Sequence, residues 1–86
     1  MDGVSNTTQA SILARLQEIF RAELDDDALT IGMDTRQLDL KAWDSLAHIR
    51  IVSGIESEFD FQFNLAEIEE INSVRQFVDA IREHMQ

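Results

Sequence analysis

Asp44, Ser45 and His48 are the residues of this chain whose types and spacing suggest chemistry. Asp44 suits the N-cap of a helix, because its carboxylate accepts hydrogen bonds from unpaired N–H groups of the first turn. Ser45 then becomes the first helical residue, its hydroxyl beside the positive end of the helix dipole. A serine held there suits an attached anion, since a phosphate at a helix N-terminus meets free N–H donors. His48 follows three residues later, within side-chain reach on a helix, and that pairing raises the question of a hydrolase. Its surroundings argue against one: Ser45 lies in no Gly-x-Ser-x-Gly elbow, and no glycine-rich oxyanion loop accompanies it. His48 is therefore expected at the surface or against a partner. His84 is expected in a last helical turn, where a cation is favoured. Two separated histidines without cysteine make a poor metal set, and no P-loop or dinucleotide fingerprint is present.

The element that positions Ser45 is a helix from Ser45 to about Phe59. Leu46, Ile49, Val52, Ile55 and Phe59 recur at helical spacing and are expected to hold it against a core. Ile51 lies off that stripe, which suggests burial on more than one face. Gly54 in the interior costs about 1 kcal/mol relative to alanine. It either lets a neighbouring helix approach closely or leaves space in the core.

A first helix precedes it, capped by Asn6 with Gln9, or by Thr7 or Thr8, after a loose tail at residues 1–5. Its stripe is Ile12, Leu13, Leu16, Ile19, Phe20 and Leu24. It is expected to stop near Asp25-Asp26-Asp27, because carboxylates oppose the dipole at a helix C-terminus; the run reads as a solvated charge patch. From Ala28 to Ala42 no period is sustained, yet Leu29, Ile31, Met33, Leu38 and Leu40 predict a loop that covers the core. Gly32 is expected to permit a turn. Trp43 closes the loop, packed under its end; a contact with a cofactor arm or a partner is the alternative.

Beyond the Ser45 helix, Phe61 and Phe63 flank Gln62 in an extended link. Asn64 with Glu67 forms a capping-box pattern, with Phe63 placed to pack on Ile68. A short third helix carries Leu65, Ile68 and Ile71. Its acidic residues Glu67, Glu69 and Glu70 are expected to be an exposed face. Ser73 with Gln76 opens a fourth helix striped by Val74, Phe77, Val78, Ile81 and Met85. The sum is an all-α small four-helix bundle with one short helix.

The totals agree. Eighty-six residues suit a single domain with one core and leave little room for a large enzyme cleft. Absence of proline and only three glycines favour helices over a turn-rich β fold. Seventeen acidic against seven basic side chains give a net charge of −10. That balance opposes nucleic-acid phosphates and anionic membranes and suits basic protein partners, or serves solubility alone. With no cysteine there is no disulfide or thiolate site, so any thiol chemistry needs a cofactor. No basic N-terminal region, long apolar run or membrane span is visible, which makes the cytoplasm the expected location.

Asp44-Ser45-Leu46 opening an amphipathic helix, followed by Glu56-Ser57-Glu58-Phe59, resembles the acyl carrier protein family. The likeness runs from the Ile12 helix to the Ile81 helix and includes the long loop and the short acidic third helix. The resemblance implies one carrier domain over residues 1–86, with 4′-phosphopantetheine from coenzyme A esterified to Ser45 by a phosphopantetheinyl transferase. The terminal thiol of that arm would hold an acyl group as a thioester, and the chain would itself catalyse nothing. Acyl-loading and acyl-processing enzymes would be its partners and a monomer its state. Asp44 would cap the helix and help the transferase recognise Ser45, while Leu46 and Ile49 would give partners an apolar contact. Val52, Ile55, Ile68, Ile71 and Phe77 would line a space that shelters the acyl chain.

The chain also departs from the carriers of bacterial fatty-acid synthesis. Asp44, Glu56 and Glu67 keep the acidic character that basic partners read, but Ala47, Arg50 and Ser57 stand at positions commonly acidic in those carriers. Lys41-Ala42-Trp43 stands where a glycine usually shortly precedes Asp-Ser-Leu. Arg50 reverses a charge near the cofactor end and is expected to weaken docking to basic fatty-acid enzymes, which implies a specialised carrier of lipid or polyketide synthesis. An aminoacyl or peptidyl carrier is an alternative, as is an unmodified acidic helical interaction domain.

Overall fold

Helices begin in this chain where a short polar side chain takes up a free backbone N–H. The computed structural model describes residues 8–85. In it α1 spans Gln9–Glu23, α2 Ser45–Phe59, α3 Leu65–Glu70 and α4 Val74–His84. Their N-caps are Thr8, Asp44, Asn64 and Ser73, which accept from the N–H of Ser11, Ala47, Glu67 and Gln76. Each cap satisfies one of the orphan donors of a first turn. The tail expected at residues 1–5, and Asn6 or Thr7 as a cap, lie outside the described residues.

Asn64 and Glu67 form the reciprocal box. The box expected at Ser73 is modified, because Gln76 Oε1 accepts from the Asn72 N–H at 2.8 Å and from the Ser73 hydroxyl at 3.1 Å. Gln76 thus reaches one residue further back than the sequence pattern implies. The long connection between α1 and α2 contains a 3-10 turn at Gln37–Asp39 that no apolar period announced. Just before it, Arg36 pairs with Ser73 in an isolated antiparallel bridge. Gln37 N–H donates to the Asn72 carbonyl at 2.8 Å and Val74 N–H to the Thr35 carbonyl at 2.9 Å. The loop is thereby fastened to the start of α4.

The core is built from Ile12, Leu16 and Phe20 of α1, Ile51, Val52, Ile55 and Phe59 of α2, and Val74, Phe77, Val78 and Ile81 of α4. Ile31, Trp43, Phe63 and Ile71 join it from the connections. Four apolar residues expected inward prove otherwise: Leu46 is 66 % exposed, Ile49 54 %, Leu38 76 % and Met85 39 %. For α2 the reason is angular. At 3.6 residues per turn, Leu46 and Ile49 lie roughly 140° and 160° around the helix from Ile51. Ile51 is fully buried, and the arc it centres is completed by Ala47 and His48. Gly32 needs no special backbone freedom, since no glycine among the described residues has positive φ; it accepts from the Thr35 N–H at 3.0 Å in an ordinary turn.

Gly54 faces α1 closely. A Cβ placed there would lie 3.0 Å from Ile19 Cγ2. Alanine at an exposed helical site gains up to about 1 kcal/mol over glycine, but overpacking a helix contact costs roughly 1–3 kcal/mol. Gly54→Ala is therefore expected to leave the melting temperature unchanged or lower it. Ser57→Ala, exposed on the same helix, is expected to raise it slightly in the same thermal melt.

Candidate functional site

Ser45 stands exposed as the first residue of α2, and Asp44 before it holds an extended conformation. The Asp44 carboxylate accepts from Ala47 N–H at 2.9 Å and its carbonyl from His48 N–H at 2.8 Å. Those two bonds consume the donors of the third and fourth helical positions. The N–H groups of Ser45 and Leu46 donate to no described residue at the positive end of the helix, where they can receive an anion ester-linked to the serine.

No base accompanies the hydroxyl. His48, expected at the surface, is 8 % exposed and turns into the core on the face away from solvent. Its Nδ1 accepts from Trp43 Nε1–H at 2.9 Å, and its Nε2 lies 3.0 Å from the Ile68 carbonyl. A carbonyl only accepts, so Nε2 carries the hydrogen and Nδ1 is the acceptor. Both nitrogens are committed, and the Ser45–His48 hydrolase reading loses its base.

Trp43 is packed under the end of the loop, as the first of its two expected roles requires. It is 2 % exposed, with its ring edge-on to Phe20 at 4.9 Å between centroids and nearly parallel to Phe77 at 6.1 Å. His48 lies beside Phe77 at 5.5 Å. These rings link α1, α2 and α4 directly below the Ser45 turn, and the bond to Ile68 brings in α3. Sequence reading missed this connection, since the partners of His48 lie five and twenty residues away. A histidine falling on the buried arc defined by Ile51 and Ile55 was the available signal.

The other expected site residues divide. Leu46 and Ile49 are exposed beside Ser45 and form an apolar surface. Arg50 is half-exposed, but its guanidinium leans towards Glu23 of α1 at 3.9 Å. Glu56 is half-buried, and its carboxylate accepts from Phe63 N–H at 2.9 Å to fix the turn after α2. Glu67 accepts from Asn64 N–H at 3.0 Å and meets His84 Nε2 at 3.1 Å. His84 in turn stacks on Phe61 with centroids 4.4 Å apart. It ties the end of α4 to α3, where the sequence had suggested only a last-turn cation. Val52, Ile55, Ile71 and Phe77 are buried members of the packed core, and Ile68 lies partly buried against it.

The Asn64 backbone N–H holds the Glu67 carboxyl below the usual carboxylate range, burial opposes this, and the His84 hydrogen bond and charge add to the lowering. A depressed folded value means stability that is present above the unfolded value and lost as pH falls through the folded one. The window is therefore acidic, below the ordinary glutamate value of about 4.3. Glu67→Gln keeps a capping-box acceptor but has no proton to take up. It is expected to lose less stability than the parent chain when denaturant melts are compared at about pH 5 and pH 3, the interval spanning that ordinary value.

Residues 14–81 match the family model described as "Phosphopantetheine attachment site". An acyl carrier protein of Clostridium acetobutylicum is 29 % identical over 73 residues, covering 85 % of this chain and 95 % of that protein. The solution structure of a holo acyl carrier protein from Geobacter metallireducens superposes with a TM-score of 0.78 at 30 % identity, covering 85 % of this chain and 84 % of that one.

Proposed function

The chain belongs to the acyl carrier protein family, with 4′-phosphopantetheine as its prosthetic group, and from that premise we propose that Ser45 is the residue that carries it. One observation supports the choice above the rest: Ser45 is an exposed hydroxyl at a capped helix start with two free N–H groups beside it. A phosphopantetheinyl transferase joins the Ser45 oxygen to the phosphate of the arm as the pyrophosphate bond of coenzyme A breaks, the serine proton is lost and adenosine 3′,5′-bisphosphate leaves. When bound, the arm supplies the thiol that this cysteine-free chain lacks. The chain contributes placement: Asp44 holds the turn open, the free N–H groups face the phosphodiester charge, and tethering keeps an acyl group at high effective concentration for successive enzymes. It is a carrier and performs no catalysis of its own.

The carrier acts as a single unit and a monomer in the cytoplasm; among the described residues no helix is long and apolar enough to cross a membrane. Leu46 and Ile49 form its apolar docking surface, flanked by Asp44 and Arg50. Glu56 and Glu67 contribute less, because internal N–H groups already occupy them. Arg50 directs it towards dedicated enzymes of a specialised lipid or polyketide route rather than general fatty-acid synthesis.

Incubation with coenzyme A and a broad-range transferase, followed by intact mass and peptide mapping, tests the attachment. One phosphopantetheine on the Ser45 peptide is expected, and folded protein without an adduct overturns the assignment. Arg50→Glu tests the client preference. Removing about 1.4 kcal/mol of like-charge repulsion raises kcat/KM with general fatty-acid enzymes roughly tenfold. Efficient turnover of the parent chain with no improvement in the variant overturns it.

A further inference from the structure

Beside the Ser45 end of α2 lies an open groove of about 560 Å³ whose lining includes Arg36, Leu38, Lys41, Trp43 and Asn72. Its charge is opposite to that of the molecule. In a chain of net −10, this groove is lined by two cations and no carboxylate. The cleft between α3 and α4 is lined by Glu67, Glu70, Asp79 and Glu83, and that at the end of α2 by Glu56 and Asp60. Arg36 lies 3.7 Å from Asp39 and is partly neutralised. Lys41 is exposed and makes no ion pair among the described residues.

The walls are preformed. The Arg36–Ser73 bridge fixes one side, and the Trp43 N–H donates to the Leu40 carbonyl at 3.0 Å on the other. Leu38, 76 % exposed, provides an apolar rim with no core to join, and Trp43, 2 % exposed, forms part of the floor. Gln37 and Asn72 add side-chain amides. A pantetheine arm presents the complement in sequence: a phosphodiester anion, a pair of methyl groups and two amides.

We propose that this groove is the resting seat of the phosphopantetheine arm, with Lys41 facing the phosphodiester and Leu38 and Trp43 covering the methyl groups. The inference rests on Ser45 as the attachment point. At 3.8 Å per residue, the Lys41 Cα is no more than about 15 Å from that of Ser45. Tethering at that distance makes weak contacts effective, since a short flexible link sets millimolar local concentrations. Occupation of the seat holds the arm back from solvent until a partner draws it out across Leu46 and Ile49.

The test is isotope-filtered NMR on the uniformly labelled, fully modified protein carrying an unlabelled arm. Nuclear Overhauser contacts from the pantetheine methyls to the Trp43 indole and the Leu38 methyls are expected. Lys41→Glu and Leu38→Asp change exposed side chains. Brought to the same modified mass, each is expected to weaken those contacts at least fivefold with the rest of the amide spectrum retained. An arm that contacts Ile49 or Leu65 instead, one with no protein contacts, or contacts unchanged in both variants overturns the proposal. Such results leave the attachment at Ser45 standing, whereas a missing adduct removes both.

Discussion

Ser45→Ala is expected to abolish phosphopantetheine attachment completely while leaving the fold intact. The two effects separate because the hydroxyl is exposed and takes no part in capping. Alanine is at least as good a helix former as serine, so the stability change is expected within about 0.5 kcal/mol. Intact mass after incubation with coenzyme A and transferase should show only the unmodified chain, although Ser53 and Ser57 remain exposed on the same helix. Asp44→Ala gives the converse result. It leaves the nucleophilic oxygen but frees the Ala47 N–H, at a cost of about 1 kcal/mol for a lost N-cap. Lower thermal stability with slower but measurable modification is the expected pair of readings. Retention of the full adduct in Ser45→Ala would move the site elsewhere.

The largest effect on stability is expected at His48. His48→Ala leaves the Trp43 indole N–H and the Ile68 carbonyl without partners, each costing about 1–3 kcal/mol when buried. An unfilled space among Trp43, Phe77 and α3 adds to the loss. A chain of this length holds only about 4–13 kcal/mol in total, so the variant should be at or near the edge of folding in urea melts. Trp43→Phe is milder, because the ring stays in place and only the donor is lost. The double-mutant cycle should return a coupling of about 0.5–3 kcal/mol. Additive losses would mean that the 2.9 Å bond contributes nothing beyond packing.

What was legible in the residues was local. Thr8, Asp44, Asn64 and Ser73 cap helices through partners three positions ahead, a spacing the chain states outright. Buried stripes on α1 and α4 were legible too, since one face of each is apolar. The pattern failed on α2, where apolar residues occur on both arcs and the polar His48 occupies the inner one. Hydrophobicity alone cannot orient such a helix; Trp43, five residues from His48 and 2 % exposed, settles the rotation. The same blindness to distant partners hid the Glu67–His84 contact across seventeen positions and the engagement of Glu56 by Phe63. At the site, Ser45 and its cap were readable from type and order. The groove was not, because it depends on the loop meeting Asn72 and Ser73 at the start of α4.

The division of α2 into two arcs bears on how such a chain can diversify. Ile51, Val52, Ile55 and Phe59 answer to the core, while Leu46, Ile49, Arg50 and Ser53 answer to solvent and whatever docks there. If partners dock there as proposed, substitutions on the outer arc are expected to change the address they read and to leave the folding of the chain almost untouched. Lineages that duplicate such a carrier can therefore reassign one copy to new clients by a few outer-arc changes, each accessible without a compensating change inside.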